Sequence, residues 1–435
     1  MKIPIKLYLT ALLSCTSLFS SAQDFSEFYQ EFQSSEVLAK YYYGFSLYDV
    51  AENAFVLDIN GDKHFTPASN AKIYTLYTSL LSLPDSIPAI NYVERGDSLL
   101  IWGTGDPTFL HSKLDNSRLF NFLKGSKKQL FILATKQDGP AYAPGWAMED
   151  YTEYYQPEIS TFPIYGNVAT FRKRGNGPLK VIPAAFQGAL YFTEDTGKFA
   201  LSRDFHENRF RGSNSHVAAG YVNEIPFITS PELTAALLAD TLGRPVKVLH
   251  QEIPSNGKVL YSLAAKQVYR EMMLPSDNFL AEQLFLMSSQ AKLGYFSTAK
   301  MQQWMKRRYY SSLKDKIDLY DGSGLSTYNK ITPRATVEVL LRIKNLLPNF
   351  SDVQQLFPTG GVDGTLRSAY QLDLGEPFIW AKTGTINSVH NQSGYIRTRT
   401  GKLYIYSFLN NNFMEPTSVI RKEMVRIMTA LRKNY

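Results

Sequence analysis

In the stretch HFTPASNAKIYTLYTSLLSL, His64 to Leu83, a serine at position 69 stands three residues before a lysine at position 72. Thr66, Pro67 and Ser69 are helix-start residues, and Ile73, Leu76, Tyr77, Leu80 and Leu81 then recur with the spacing of one helical face. Residues three apart on a helix are neighbours, so the Ser69 hydroxyl and the Lys72 amine can meet. Ala68 and Ala71 leave room beside them. The chemistry on offer is a serine nucleophile deprotonated by a lysine. The pair alone does not establish it. Ser-x-x-Lys recurs at Ser255/Lys258, Ser289/Lys292, Ser297/Lys300 and Ser311/Lys314, and the first turn of a buried helix accounts equally well for the residues.

A lysine acts as a base only when its amine is neutral, and a free lysine titrates near 10.4. Lowering that by about three units corresponds to roughly 4 kcal/mol, obtainable from burial and a second nearby cation. Lys382 in WAKTGT is a candidate for that cation. It lies on a strand-like run, followed by the hydroxyl of Thr383 and by Gly384, whose missing side chain lets a substrate lie along the strand edge. A third element, PSDNFLAEQL, sets Ser276 and Asn278 at a helix start, where the hydroxyl can relay a proton and the amide can hold a carbonyl. The same residues, with Asp277 and Glu282, also read as an ordinary N-cap.

Other chemistries are set aside. His64, His111, His206, His216, His250 and His390 include no His-x-x-x-His pair, so no helical zinc site is written. Neither a Gly-x-Ser-x-Gly elbow nor a phosphate-cradling loop is present. Cys15 is the only cysteine, and it falls in a segment that reads as an export signal: Lys2 and Lys6, an apolar run from Leu7 to Phe19, then Ser20-Ser21-Ala22. The expectation is a signal peptide over 1–22 and a cysteine-free exported chain with no thiol nucleophile; a lipid anchor through Cys15 is the lesser alternative. Loss of Lys2 and Lys6 takes the formal charge from +7 to +5, a solvated basic surface without a nucleic-acid motif.

The elements that must position these residues follow from the pattern. At 435 residues and 44% hydrophobic content the chain can bury a large core in two or three domains. YYYGFSLYDV and NAFVLDIN predict a hairpin leading into the Ser69 helix. A region rich in Gly, Pro and aromatic residues follows, with strand-like pieces SLLIWGTGDPTF, QLFILAT, GNVATFRKR and LKVIPAAF. Helical spacing returns over 258–274, 276–293, 297–313 and 332–347, then strands near 378–384, 391–398 and 402–410, and a last helix over 417–432. That last helix, with Ile420, Met424, Ile427, Met428 and Leu431 on one side, is expected to pack on the neighbouring sheet rather than on a membrane.

Ser-x-Asn occurs once, at Ser276, and Lys-Thr-Gly once, at Lys382, and both follow Ser69 in that order. Together with GTGDPTF, PGWAMEDYTEYYQPEIS, DGSGLSTYNKITP, FPTGGVDGTL and AKTGTINSVHNQSGY, this order resembles the low-molecular-weight class C penicillin-binding proteins, the D-alanyl-D-alanine carboxypeptidase/endopeptidases, from about Tyr41 to Asn411. The resemblance implies an α/β (α+β) chain: a β-lactamase/transpeptidase-like catalytic domain, with an antiparallel sheet flanked by helices, from 23–85 plus 257–435. The remaining 86–256 would be a mostly β insertion, of one part or two nested ones. It implies Ser69 as nucleophile, Lys72 as general base, Ser276 and Asn278 as proton relay and peptide holder, Lys382 as the positive charge near Ser276, and Thr383, Gly384 and Thr385 as the substrate-binding edge. The backbone N–H groups of Ser69 and Thr385 would form the oxyanion hole. The implied partners are peptidoglycan stem peptides ending in D-Ala-D-Ala, with β-lactams as inhibitors and a periplasmic location, and with no metal, cofactor, nucleic acid or transmembrane segment. DGTLRSAY lacks a second basic residue expected after Leu366, and the insertion is short, so endopeptidase action is less firmly implied than carboxypeptidase action. DGSGLS is read as a loop near the site with no catalytic role. The rival readings are a β-lactamase or esterase using the same residues, and a non-catalytic wall-binding protein.

Overall fold

A computed structural model describes residues 24–114, 117–194 and 197–435. The expected signal peptide and Cys15 lie outside the described residues. Five strands make the sheet on which everything else is built: β1 (Tyr42–Asp49), β2 (Ala54–Ile59), β3 (Ile379–Ile386), β4 (Val389–Arg397) and β5 (Leu403–Asn411). Their order is β3-β4-β5-β1-β2, antiparallel throughout, so the chain's first hairpin closes against its last strand with Phe45 opposite Phe408.

Both faces of this sheet are buried, which is why its strands read as nearly continuous apolar runs. Alternate residues face opposite ways. Phe45 and Phe408 meet α1 (Ser26–Gln33) on one face, in a buried cluster that includes Ile396 and Tyr406, while Tyr395, Ile405 and Leu409 on the other share a buried cluster with α2 (Ala71–Ser82), α3 (Asn278–Leu293) and α4 (Pro333–Leu346). The first face is completed by α5 (Thr417–Asn434), whose Ile420, Met424, Ile427, Met428 and Leu431 are all buried against it. The C-terminal helix therefore packs on the sheet. No helix of the described residues is long and apolar enough to cross a membrane.

Helix α2 is covered almost all round rather than on one face: Lys72, Thr75, Thr78 and Ser79 are buried, while Leu80 and Leu81 are only half-buried. This is the physical setting of the lysine. Only the first residues of the expected helix differ, since Ala68–Asn70 form a 3-10 turn before α2 begins.

The helical spacing over 258–274 misleads at its start. Lys258–Ala264 is a strand, and the helix runs only from Ala265 to Met273. The strand pairs antiparallel with Ser86–Arg95 at the edge of a second five-stranded sheet, completed by Ser98–Gly103, Gln129–Leu133 and Val246–Leu249. An available edge with unpaired backbone groups outweighs the weaker preference for helix. Two three-stranded sheets, over 168–226, and the helices Ser117–Gly125 and Pro231–Leu242 fill out this part of the chain.

Candidate active site

The turn that carries Ser69 is clamped from two sides by glycines. A Cβ on Gly384 of β3 would lie 2.5 Å from the Pro67 carbonyl and 2.8 Å from the Ser69 nitrogen. One on Gly324, whose φ is +89°, would lie 1.8 Å from the Ala68 carbonyl. Only glycine lets the strand and the 321–326 loop approach this closely. The turn itself holds Ala68 at φ +46°, and Ser276 across the cleft sits at φ +67°. Non-glycine residues persist there only when their surroundings hold them. Asn391 does so for the turn, donating to the carbonyls of Thr66 and Pro67, each at 2.9 Å.

All five residues singled out for chemistry come together. Lys72 Nζ is 3.0 Å from Ser69 Oγ, 2.6 Å from Asn278 Oδ1 and 2.7 Å from the Ser323 carbonyl. The two carbonyl oxygens match the two N–H bonds of a neutral amine, leaving its lone pair for the Ser69 hydroxyl proton. Lys382 Nζ donates to Ser276 Oγ at 2.9 Å and to the Thr383 carbonyl at 2.8 Å. Asn278 is fixed from behind by its amide, which donates to the Tyr155 carbonyl at 3.0 Å. Asp277 caps α3, accepting from the Leu280 N–H at 3.0 Å, so the capping and the chemical readings of this segment both hold, on neighbouring residues.

Electrostatics correct one expectation. Of the two causes expected, burial is the one that lowers Lys72, to about 8, and the acidic groups Asp321, Asp277 and, when ionised, Glu282 pull the other way. Lys382 is held well below the usual lysine range by burial first and by the charge of Lys72 second. Both amines are fully buried. Repulsion between two ammonium groups in such a place lets the pair shed a proton readily.

Thr383 Oγ1 donates to Thr365 Oγ1 at 2.7 Å, while Thr385 is exposed, with its hydroxyl 2.8 Å from His390 Nδ1. Burial takes His390 down to about 4, so its ring is neutral. Ser69, Ser276, Asn278 and Thr385 open onto one cleft of about 990 Å³, whose far wall includes Asp150, Tyr154 and Tyr155.

Several participants escaped sequence reasoning. The Ser323 carbonyl is main chain and leaves no residue signature. Glu282 looked like part of a cap, yet it is fully buried and pushed up to about 8 by burial and by Asp321. His390 was weighed only as a metal ligand, although its place opposite Thr385 in the β3–β4 ladder follows once those strands are paired. Among the described residues no group of His, Cys, Asp and Glu is arranged to hold a metal ion.

Comparison with known proteins gives a consistent picture. The model of the D-Ala-D-Ala carboxypeptidase 3 (S13) family matches residues 30–431. The D-alanyl-D-alanine carboxypeptidase DacB of Haemophilus influenzae is 25% identical over 422 residues, covering 84% of this chain and 85% of that one. Among solved structures, penicillin-binding protein 4 (dacB) of H. influenzae superposes with a TM-score of 0.75 at 20% identity, over 94% of this chain and 100% of that one. The same protein complexed with a β-lactam gives a TM-score of 0.68 at 19% identity, with the same coverage. These structures share the fold.

Proposed function

The chain belongs to the D-Ala-D-Ala carboxypeptidase 3 (S13) family, and we propose that it carries out that family's reaction through an acyl-enzyme on Ser69 with Lys72 as the base. It is a serine D-alanyl-D-alanine carboxypeptidase of the penicillin-binding type. The observation that carries the assignment of roles is the Lys72 amine, buried, with two carbonyl acceptors on one side and the Ser69 hydroxyl at 3.0 Å on the other.

In this reading Ser69 Oγ attacks the carbonyl of the penultimate D-alanine as its proton passes to Lys72 Nζ. The oxyanion that forms lies between the N–H groups of Ser69 and Thr385, donors of a kind worth about 3–4 kcal/mol each. Collapse breaks the peptide bond. The departing amine of the terminal D-alanine takes a proton from Lys72, with Ser276, oriented by Lys382, as the relay. Water, deprotonated by Lys72, then cleaves the ester and restores Ser69. Thr383 and Thr385 receive the terminal carboxylate, and Gly384 keeps the strand edge open.

The substrates proposed are peptidoglycan stem peptides ending in D-Ala-D-Ala, lying in the cleft between β3 and the 145–156 stretch. Endopeptidase cleavage of cross-bridges is proposed as an extension of the same chemistry. β-Lactams, which imitate that peptide end, acylate Ser69 and leave slowly. Residues 23–85 plus 257–435 are proposed as the catalytic part and 86–256 as an insertion contributing one wall of the cleft; the Lys258–Ala264 strand pairs with the insertion's sheet, so the return crossing falls within it. Export to the periplasm, with removal of 1–22, is part of the same proposal.

The test is release of D-alanine from a D-Ala-D-Ala pentapeptide and labelling by a fluorescent penicillin, in wild type and Ser69→Ala. Both activities are expected to vanish in the variant. Equal labelling of the two proteins would end the assignment, and rapid β-lactam turnover without D-alanine release would favour a β-lactamase.

A further inference from the structure

Glu282 lies one turn beyond Asn278 on the same face of α3 and is 2% exposed. Its Oε1 accepts two backbone N–H groups, from Gly322 at 2.9 Å and Ser323 at 2.7 Å. Its Oε2 is buried with no hydrogen-bond partner. The loop it grips is held from the other side by Asp321, whose oxygens accept from Gly324 N at 2.9 Å, Ser326 N at 2.7 Å, Asn329 Nδ2 at 2.6 Å and Trp146 Nε1 at 2.9 Å. Thr75 of α2 donates to the Gly322 carbonyl at 2.6 Å. Between these supports the Ser323 carbonyl accepts from the reacting pair, 2.7 Å from Lys72 Nζ.

We propose that Glu282 is a positioning residue for acylation: its carboxyl pins the Ser323 backbone so that the Ser323 carbonyl, together with Asn278, turns the lone pair of Lys72 toward Ser69. The proposal rests on Lys72 being the base.

Two carboxyls so close to a required neutral amine need an explanation, and the hydrogen bonds of Glu282 supply it. A neutral carboxylic acid still accepts both N–H bonds through its carbonyl oxygen, more weakly than a carboxylate would, and adds no negative charge beside Lys72. Burial and the neighbouring Asp321 push the Glu282 carboxyl up to about 8, which keeps it largely neutral at pH 7. Asp321 from the loop is the charged neighbour of the Glu282 carboxyl itself; Asp277 at the start of α3 acts with both on Lys72 of α2, and Lys382 of β3 in turn feels the charge of Lys72. Once ionised, Glu282 joins Asp321 and Asp277 in raising the proton affinity of Lys72.

The test compares single-turnover acylation by a fluorescent penicillin, from pH 6 to 9.5, in full-length wild type, Glu282→Gln, Glu282→Ala and Lys72→Ala, with thermal unfolding run on each. Glutamine keeps an oxygen that accepts both N–H bonds and cannot ionise. Its acylation rate at pH 7 is expected within about threefold of wild type, with the acid-limb midpoint moved down by about half to one pH unit, as loss of a partial charge several Å away predicts. Alanine is expected to slow acylation at least tenfold at pH 7. Wild-type acylation by Glu282→Ala, a loss in Glu282→Gln as deep as in Glu282→Ala, or an unmoved midpoint in Glu282→Gln overturns the proposal. A merely structural role lowers the active fraction equally at every pH and leaves the midpoint in place. Undiminished acylation by Lys72→Ala overturns the reading of Lys72 as base, which separates the two failures.

Discussion

Lower the pH on the wild-type enzyme, and acylation should slow in proportion to the neutral fraction of Lys72. The amine is held at about 8 instead of the ordinary lysine value of 10.5, and burial is the leading cause. At pH 7 about one amine in eleven is then neutral, against roughly one in three thousand for an unperturbed lysine, a gain near 300-fold or about 3 kcal/mol. Below pH 7 the acylation rate constant should fall tenfold per unit, and above 8 it should level off. Stopped-flow measurement of penicillin acylation under single-turnover conditions, from pH 5.5 to 9.5, reads this directly. Lys72→Arg supplies the control, because a guanidinium stays protonated throughout. Its rate should lie at a floor some 10²–10⁴ lower, the usual worth of general base catalysis, with no rise between pH 6 and 9. A wild-type rate that is flat from 6 to 8, or that climbs only above pH 10, refutes the reasoning. So does an arginine variant that follows the wild-type curve.

Three further outcomes are expected. Gly384→Ala places a methyl 2.5 Å from the Pro67 carbonyl and 2.8 Å from the Ser69 nitrogen, so β3 or the nucleophile turn must shift; acylation should drop at least tenfold and the thermal midpoint should fall, by an amount consistent with about 1–3 kcal/mol of overpacking. His390→Ala removes the partner of Thr385 and should raise KM for a peptide with a free terminal carboxylate up to tenfold, the range of one neutral hydrogen bond, while kcat changes little and KM for a substrate lacking that carboxylate does not move. His390→Asn, which can return an amide donor near the Nδ1 position, should recover part of the loss. Asp373, beside Arg399 and Arg432, is held down to about 2, so its contribution to stability is present above the ordinary carboxylate pKa near 4 and is lost as the pH falls through 2. Asp373→Asn should therefore lower the melting temperature at pH 7, with the gap to wild type closing toward pH 2.

How far the site could be read in advance depends on what kind of group does the holding. Ser69, Lys72, Ser276, Asn278 and Lys382 are side chains in short recurring patterns, and the structure gathers all of them around one cleft. The Ser323 carbonyl and the N–H groups around Ser69 have no residue identity, so nothing in the letters DGSGLS marks the peptide that meets Lys72. Glu282 was visible yet misjudged, because a glutamate near a helix start has a sufficient local explanation in capping; its actual partners are some 40 residues away in sequence. Burial and a second cation were both expected to lower Lys72, but the weight of each could not be read without knowing that α2 is buried nearly all round, which makes burial the leading cause. In the fold, the hairpin over 41–60 and the helices over 276–293 and 332–347 carried strong periodicity and match the elements present. Lys258–Ala264 did not, since its state is decided by a strand edge that begins at Ser86, about 170 residues earlier in the chain.

Catalysis by this route requires one oxygen atom, Ser69 Oγ, as the point of covalent attachment. Brief exposure to a β-lactam, followed by intact-mass measurement and peptide mapping, locates that atom. The expected result is a single adduct of the full drug mass on the Ala68–Lys72 segment, assigned to Ser69, formed more slowly at pH 6 than at pH 8 and lost in Ser69→Ala. An adduct on Ser276 or any other residue, or a protein that stays unmodified at pH 8, contradicts it.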